Sequence, residues 1–190
     1  MSARVVLGIS GASGAGLGLA AARHLAEMGV RIELVISPAG ERTLAAECGA
    51  DASDRLRAMA ARVHPVADVG AEIASGSAPL AGMIVAPCSM RTLAAVAHGL
   101  DDNLLTRAAG VQLKERRPLI LLAREAPLTL AHLRNMTAVT EMGATVMPPV
   151  PAWYLAPRSL QAATDQIAAR AVDQLRLPGA PRATGWTGER

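Results

Sequence analysis

Apolar residues along this chain fall in short blocks that alternate with longer stretches in which apolar positions return every three or four residues. The blocks are rich in Val, Ile and Leu, and Gly, Pro, Ser or a charge bounds each one, which is the pattern of strands buried on both faces. They predict strands at Val5–Ser10, Ile32–Ser37, Met83–Ala86, Leu119–Ala123 and Ala144–Met147. The stretches between them predict helices at Gly16–Met28, Pro38–Cys48, Met90–His98, Leu104–Arg116 and Leu130–Met142, with a last helix at Leu160–Leu175 after a proline-rich loop. Repeated βα units of this kind build an α/β domain around a central parallel sheet. A single domain over residues 1–177 is expected, and the Pro-, Gly- and polar-rich stretch 178–190 reads as a C-terminal tail.

In an open parallel sheet, ligands bind beyond the carboxyl ends of the strands, so the loops there are where chemistry is expected. They read GASGAG, SPAGE, APCSMR, AREAP and MPPVPAWY. The first, Gly11-Ala12-Ser13-Gly14-Ala15-Gly16, lies between a strand and a helix, where glycines allow tight turning and helix N–H groups attract phosphate. The second strand ends on Ser37 and not on the acidic residue that grips an adenosine ribose, so a phosphate or a flavin edge suits it better. The alternative for this loop is a tight βα turn with no ligand. Ser89 and Arg91 put a hydroxyl, helix-start amides and a cation at another strand end, although a serine there also serves as an ordinary N-cap. Cys88 has no histidine paired with it locally and reads as a packing residue before a nucleophile. Arg124-Glu125 sits at a strand end, where an ion pair in a cleft can hold phosphate and move a proton.

Half of the chain is hydrophobic (51%) and no apolar run approaches the ~20 residues of a membrane span. The start lacks the zones of a signal peptide, so the cytoplasm is the expected location. Two cysteines and four scattered histidines make no disulfide framework and no metal-ligand spacing, and no metal is expected. The net charge of +3 is spread without an aromatic-rich stretch, which argues against nucleic acid. Lys114 is the only lysine, and Trp153, Tyr154 and Trp186 are the only aromatics. Three prolines stiffen the loop that carries Trp153 and Tyr154, so their rings are held out with little entropy to lose. Such a pair suits an isoprenoid or a developing cation, and Trp153 suits an oligomer contact equally well.

Taken together, GISGASGA, LVIS, IASGS, MIVAPCSM, DNLLTRAA, LKERRPLILLAREAPL, HLRNMT and EMGATVMPPVPAWY, in that order, closely resemble the UbiX/Pad family of flavin prenyltransferases. The resemblance implies a flavodoxin/Rossmann-like three-layer fold, assembly into a homododecamer, and reduced FMN as the acceptor of a dimethylallyl group. The donor it implies is dimethylallyl monophosphate, the bonds formed are to flavin N5 and C6, and the prenylated FMN serves UbiD-type decarboxylases. Carried over residue by residue, it assigns FMN contacts to Gly11, Ala12, Ser13, Ser37, Ser89, Arg91 and Arg124, with Cys88 and Met90 in the same loop. Tyr154, Arg170, Lys114 and Trp186 would bind the donor, with Arg107 adding positive charge, and Glu125 and Glu47 would relay protons. Two other readings are an FMN carrier without activity and a related flavin-dependent cysteine decarboxylase. The latter's distinctive Asn/Met substrate motif is not found here.

Overall fold

The structure, a computed structural model, describes residues 2–188; Met1 and the end of the expected tail, Glu189 and Arg190, lie outside the described residues. The elements follow as β1 (Arg4–Ile9), α1 (Gly16–Glu27), β2 (Arg31–Ile36), α2 (Pro38–Cys48), α3 (Ala52–Met59), β3 (Arg62–His64), β4 (Gly82–Cys88), α4 (Met90–Ala97), α5 (Leu104–Lys114), β5 (Leu119–Ala123), α6 (Leu130–Glu141), β6 (Thr145–Val146) and α7 (Leu160–Asp173). The strands form one parallel sheet in the order β3-β2-β1-β4-β5-β6. The order reverses between β1 and β4, which opens the crevice where α/β sheets of this type bind ligands.

The sheet is covered on both faces, as its unbroken apolar strands require. On one face, Val5, Leu7 and Ile9 of β1 and Leu34 of β2 meet α1, α2, α3 and α7. On the other, Val6, Val35 and Val85 meet α4, α5 and Val139 of α6. Each large aliphatic side chain buried in these two cores contributes about 1.5–3 kcal/mol. Gly18 lets α1 lie close to the sheet: a Cβ there would stand 2.5 Å from Ile9 Cδ1 and 2.6 Å from the carbonyl oxygen of Ala86.

Three features differ from the expectation. β3 and α3 were not foreseen, because their patterns are short: β3 has one buried position, His64, and α3 buries Ala52, Ser53 and Leu56. β3 is held from the side by Glu33, whose Oε2 lies 2.8 Å from His64 Nε2 and whose Oε1 accepts from Arg4 Nε at 2.9 Å. β6 is only the pair Thr145–Val146, because an edge strand in this position has one partner, β5. The stretch after α7 is docked on the domain. Asp173 accepts from the N–H groups of Arg182 (2.7 Å) and Ala183 (3.1 Å).

Candidate functional site

The carboxyl ends of β1, β2, β4 and β5 are sewn together by hydrogen bonds. Buried Ser10 donates its hydroxyl to the Pro87 carbonyl at 2.9 Å and accepts from the Ser89 N–H at 2.8 Å. The Ser37 N–H reaches the Ile9 carbonyl at 2.9 Å, and the Arg124 N–H reaches the Cys88 carbonyl at 3.1 Å. Gly11 passes so close to α2 that a Cβ on it would stand 2.3 Å from that of Ala39. Ser37 caps α2 by accepting from Gly40 N–H (3.0 Å), and Ser89 caps α4 by accepting from Thr92 N–H (3.2 Å). The N-termini of α2 and α4, with their capping serines, therefore stand at the strand ends beside the Arg124 loop. Amides with partial positive charge, hydroxyls and a guanidinium are the donor set that a flavin's phosphate and its carbonyl edge call for, so the residues present fit FMN.

One detail corrects the expected use of the first loop. The amides of Gly14 and Ala15 do not face an open phosphate site: both donate to Glu47 Oε2, at 2.8 and 2.9 Å, from the end of α2. The carboxylate takes the place of the anion that a helix N-terminus attracts. Burial pushes Glu47 up, but the Ser13 hydroxyl, the Ala15 and Gly14 amides and the charge of Arg124 outweigh it and hold the carboxyl below its usual range. Ser13, Glu47 and Arg124 thus form one electrostatic group at the mouth of the crevice.

Other assigned residues lie elsewhere. Cys88 is fully buried between the sheet and α4, and burial pushes its thiol up to about 12. Its side chain offers nothing to a flavin and is no nucleophile; only its carbonyl takes part, through Arg124. Met90 packs its side chain in the same core, so its contribution to a ligand is limited to the backbone at the start of α4. Arg91 turns outward and pairs with Asp102, and Arg107 pairs with Asp101 at 3.6 Å. Glu125 is exposed and accepts from the Ala126 N–H at 3.1 Å. Lys114 closes α5 and pairs with Glu115. It stands beside Gly76 and just ahead of the start of β5, at the amino end of the sheet. Glu125 follows the carboxyl end of that strand, so about 15–20 Å of strand separates the two within one chain.

A second group does assemble. Tyr154, Arg170 and Trp186 line one pocket of about 580 Å³ with Met147, Val150 and Ile167. The rings of Tyr154 and Trp186 meet edge to face, their centroids 5.1 Å apart at 79°, a favoured aromatic geometry. The two rings with Met147, Val150 and Ile167 make an apolar stretch of the wall, and the Arg170 guanidinium stands at the same pocket. Gln166 and Asp173 also line it, and neither was foreseen; the clue available was their spacing from Arg170, Gln166 four residues before it and Asp173 three after, along one helical face. Among the described residues no cluster of three or more His, Cys, Asp or Glu is placed to hold a metal ion, and no helix is long and apolar enough to cross a membrane.

The parallel sheet with its reversal at β1 and β4, and the serine-capped crevice at the strand ends, define a flavin-binding class of α/β domain. Residues 1–172 match the Flavoprotein family. At 52% identity over 190 residues, covering 99% of this chain and 98% of the relative, the sequence is similar to the flavin prenyltransferase UbiX of Neisseria meningitidis. The fold superposes on a UbiX protein (AnUbiX, PadA1) in complex with FMN and dimethylallyl pyrophosphate, with a TM-score of 0.94, 41% identity and full coverage of both chains. It superposes equally on a dodecameric FMN-dependent UbiX-like decarboxylase from Escherichia coli O157:H7, with a TM-score of 0.92 and 41% identity over 97% of this chain and 100% of the other. The chain belongs to the UbiX flavin prenyltransferase family.

Proposed function

We propose that this chain transfers a dimethylallyl group from dimethylallyl monophosphate to N5 and C6 of reduced FMN, and that the prenylated flavin passes to a UbiD-type decarboxylase. The observation that carries this reading is the pocket in which an apolar, aromatic wall ends on Arg170, next to Tyr154 and Trp186. An isoprenoid phosphate has the same two-part chemistry. When bound, the reduced flavin supplies the nucleophilic atoms. The chain supplies the rest. Arg170 and Lys114 offset charge on the departing phosphate, where fixed cations act most strongly. The faces of Tyr154 and Trp186 favour positive charge on an allylic carbon. Forming the N5 bond would break the donor's C–O bond, and phosphate would leave with the N5 proton; forming the C6 bond would spend the prenyl double bond, with Glu125 moving the proton lost at C6 while the neighbouring prenyl carbon gains one. Glu47 stays ionised at neutral pH and keeps Ser13 and Arg124 in place.

Lys114 and Glu125 serve one site only if separate copies of the chain meet, so the reading includes a homo-oligomer, a dodecamer like the Escherichia coli relative. The test is anaerobic incubation with reduced FMN and dimethylallyl monophosphate, followed by mass spectrometry of the flavin. A flavin heavier by one five-carbon unit is the expected product, and recovery of unmodified FMN overturns the assignment. Lys114→Ala and Glu125→Gln are each expected to abolish transfer. Mixed oligomers of the two regain part of it, because some sites then receive both native residues. No recovery in mixed oligomers overturns the shared site.

A further inference from the structure

The segment 181–186 is held on the domain almost entirely by polar contacts. Asp173 accepts from the N–H groups of Arg182 and Ala183 at 2.7 and 3.1 Å. Gln166 pairs with Thr184 as one strand pairs with another, accepting from its N–H at 3.1 Å and donating to its carbonyl at 2.8 Å. Arg182 reaches across to Glu27 and to Nδ1 of His24 on α1. Apolar burial adds little, since Pro181, Thr184, Gly185 and Trp186 are all exposed. Yet this segment supplies five of the residues that line the pocket, among them Trp186, which it sets against Tyr154.

Gln166, Arg170 and Asp173 stand at helical spacing on one face of α7. The face that carries the pocket's cation therefore also carries both anchors of its outer wall. We infer that Asp173 and Gln166 are positioning residues for the prenyl donor: they fasten residues 181–186 as a strap that closes the pocket over the prenyl chain and limits its length. This rests on the reading that the pocket takes the donor. Because each anchor is a pair of hydrogen bonds of modest net worth, the strap is releasable, and weakening one anchor shifts it open without unfolding α7.

The experiment uses the full-length chain with Trp153→Phe as background, which leaves Trp186 as the single tryptophan. Asp173→Ala and Gln166→Ala are compared with that parent, and Asp173→Asn serves as the conservative variant. Acrylamide quenching of Trp186 is expected to rise in both alanine variants, and KM for dimethylallyl monophosphate to rise about tenfold, the factor that 1.4 kcal/mol represents. FMN affinity and the urea midpoint stay at the parent's values. Geranyl monophosphate gains relative to dimethylallyl monophosphate as a donor, and Asp173→Asn, which keeps one acceptor oxygen, recovers part of each effect. Unchanged quenching with unchanged KM overturns the inference, as does a parallel loss of FMN binding and stability, which would make the two residues merely structural. A parent that transfers nothing would sink the prenyltransferase reading alone, since quenching still reports whether the strap is held.

Discussion

Replacing Gly18 by alanine separates what helix propensity says from what the tertiary structure says. In an isolated helix, Gly to Ala gains about 0.5–1 kcal/mol from reduced backbone entropy. Here the new methyl would stand 2.5 Å from Ile9 Cδ1 and 2.6 Å from the Ala86 carbonyl oxygen. The isoleucine tip can turn away, but the carbonyl belongs to β4 and has nowhere to go. Overpacking of this kind costs about 1–3 kcal/mol, so the net effect is a loss of roughly 0–2.5 kcal/mol, centred near 1 kcal/mol. Gly16, on the same helix, is the control. A Cβ there meets Thr164 Cγ2 at 3.7 Å and Cys48 Sγ at 4.0 Å, which is ordinary contact. Gly16→Ala is therefore expected to be neutral or stabilising by up to about 0.5 kcal/mol. Urea unfolding of both variants at one protein concentration checks this. With a slope of about 1–3 kcal/mol per molar, Gly18→Ala lowers the midpoint by roughly 0.5–1 M and Gly16→Ala does not. The push on Ala86 also disturbs the adjoining Pro87 carbonyl, which Ser10 binds, so Gly18→Ala weakens FMN binding as well. Two variants of equal stability would refute the close-approach argument.

Three further expectations follow from the same geometry. Glu47 has its carboxyl held below the usual range, so the stability it contributes is present above the unfolded value and lost as pH falls through the folded one; the gap in urea midpoint between the native chain and Glu47→Gln narrows in acid, with a contribution of no more than about 1 kcal/mol at neutral pH for so exposed a group. A gap that does not vary with pH contradicts this. Thiol reagents modify Cys48 in the native protein and reach Cys88 only on unfolding, because Cys88 is fully buried with its thiol raised to about 12; Cys88→Ala keeps its flavin while losing about 1 kcal/mol of stability, and loss of flavin from a folded variant would restore Cys88 to the site. Glu33→Ala leaves buried His64 without its acceptor and Arg4 with Glu72 alone and costs about 3 kcal/mol by calorimetry or denaturant, and a loss below 1 kcal/mol would mean that the cluster relaxes freely.

The resemblance, read from motifs spread along nearly the whole chain, and the periodicity of the apolar blocks pointed to the same α/β fold. The strands expected at Val5–Ser10 and Leu119–Ala123 stand in the structure at Arg4–Ile9 and Leu119–Ala123. These elements are legible because strands buried on both faces must be apolar throughout, and helices beside them must repeat their apolar positions by turns. Ser89 was legible as a helix start for a similar reason, since a cap is decided by its neighbours within one turn; Ser37, expected as a strand end, caps α2 as well.

Tertiary structure alone decided what the candidate residues can touch. Glu47, not a ligand, receives the Gly14 and Ala15 amides, from more than thirty residues along the chain. Cys88 and Met90 were placed in the crevice by adjacency in sequence, but side chains of a strand end and the helix after it alternate between crevice and core, and theirs turn to the core. Lys114 and Glu125 are eleven residues apart in sequence and at opposite ends of the sheet, because a strand runs between them. The strap on α7 depends on partners whose pairing has no local signature. The sequence by itself determined which segments become strands, helices and caps wherever the pattern is long enough to repeat, β3 and α3 being too short, since those follow from short-range periodicity and from single hydrogen bonds to near neighbours. The folded chain determined which charges meet, because an ion pair or a close backbone approach depends on where distant segments are brought by the packing of the sheet.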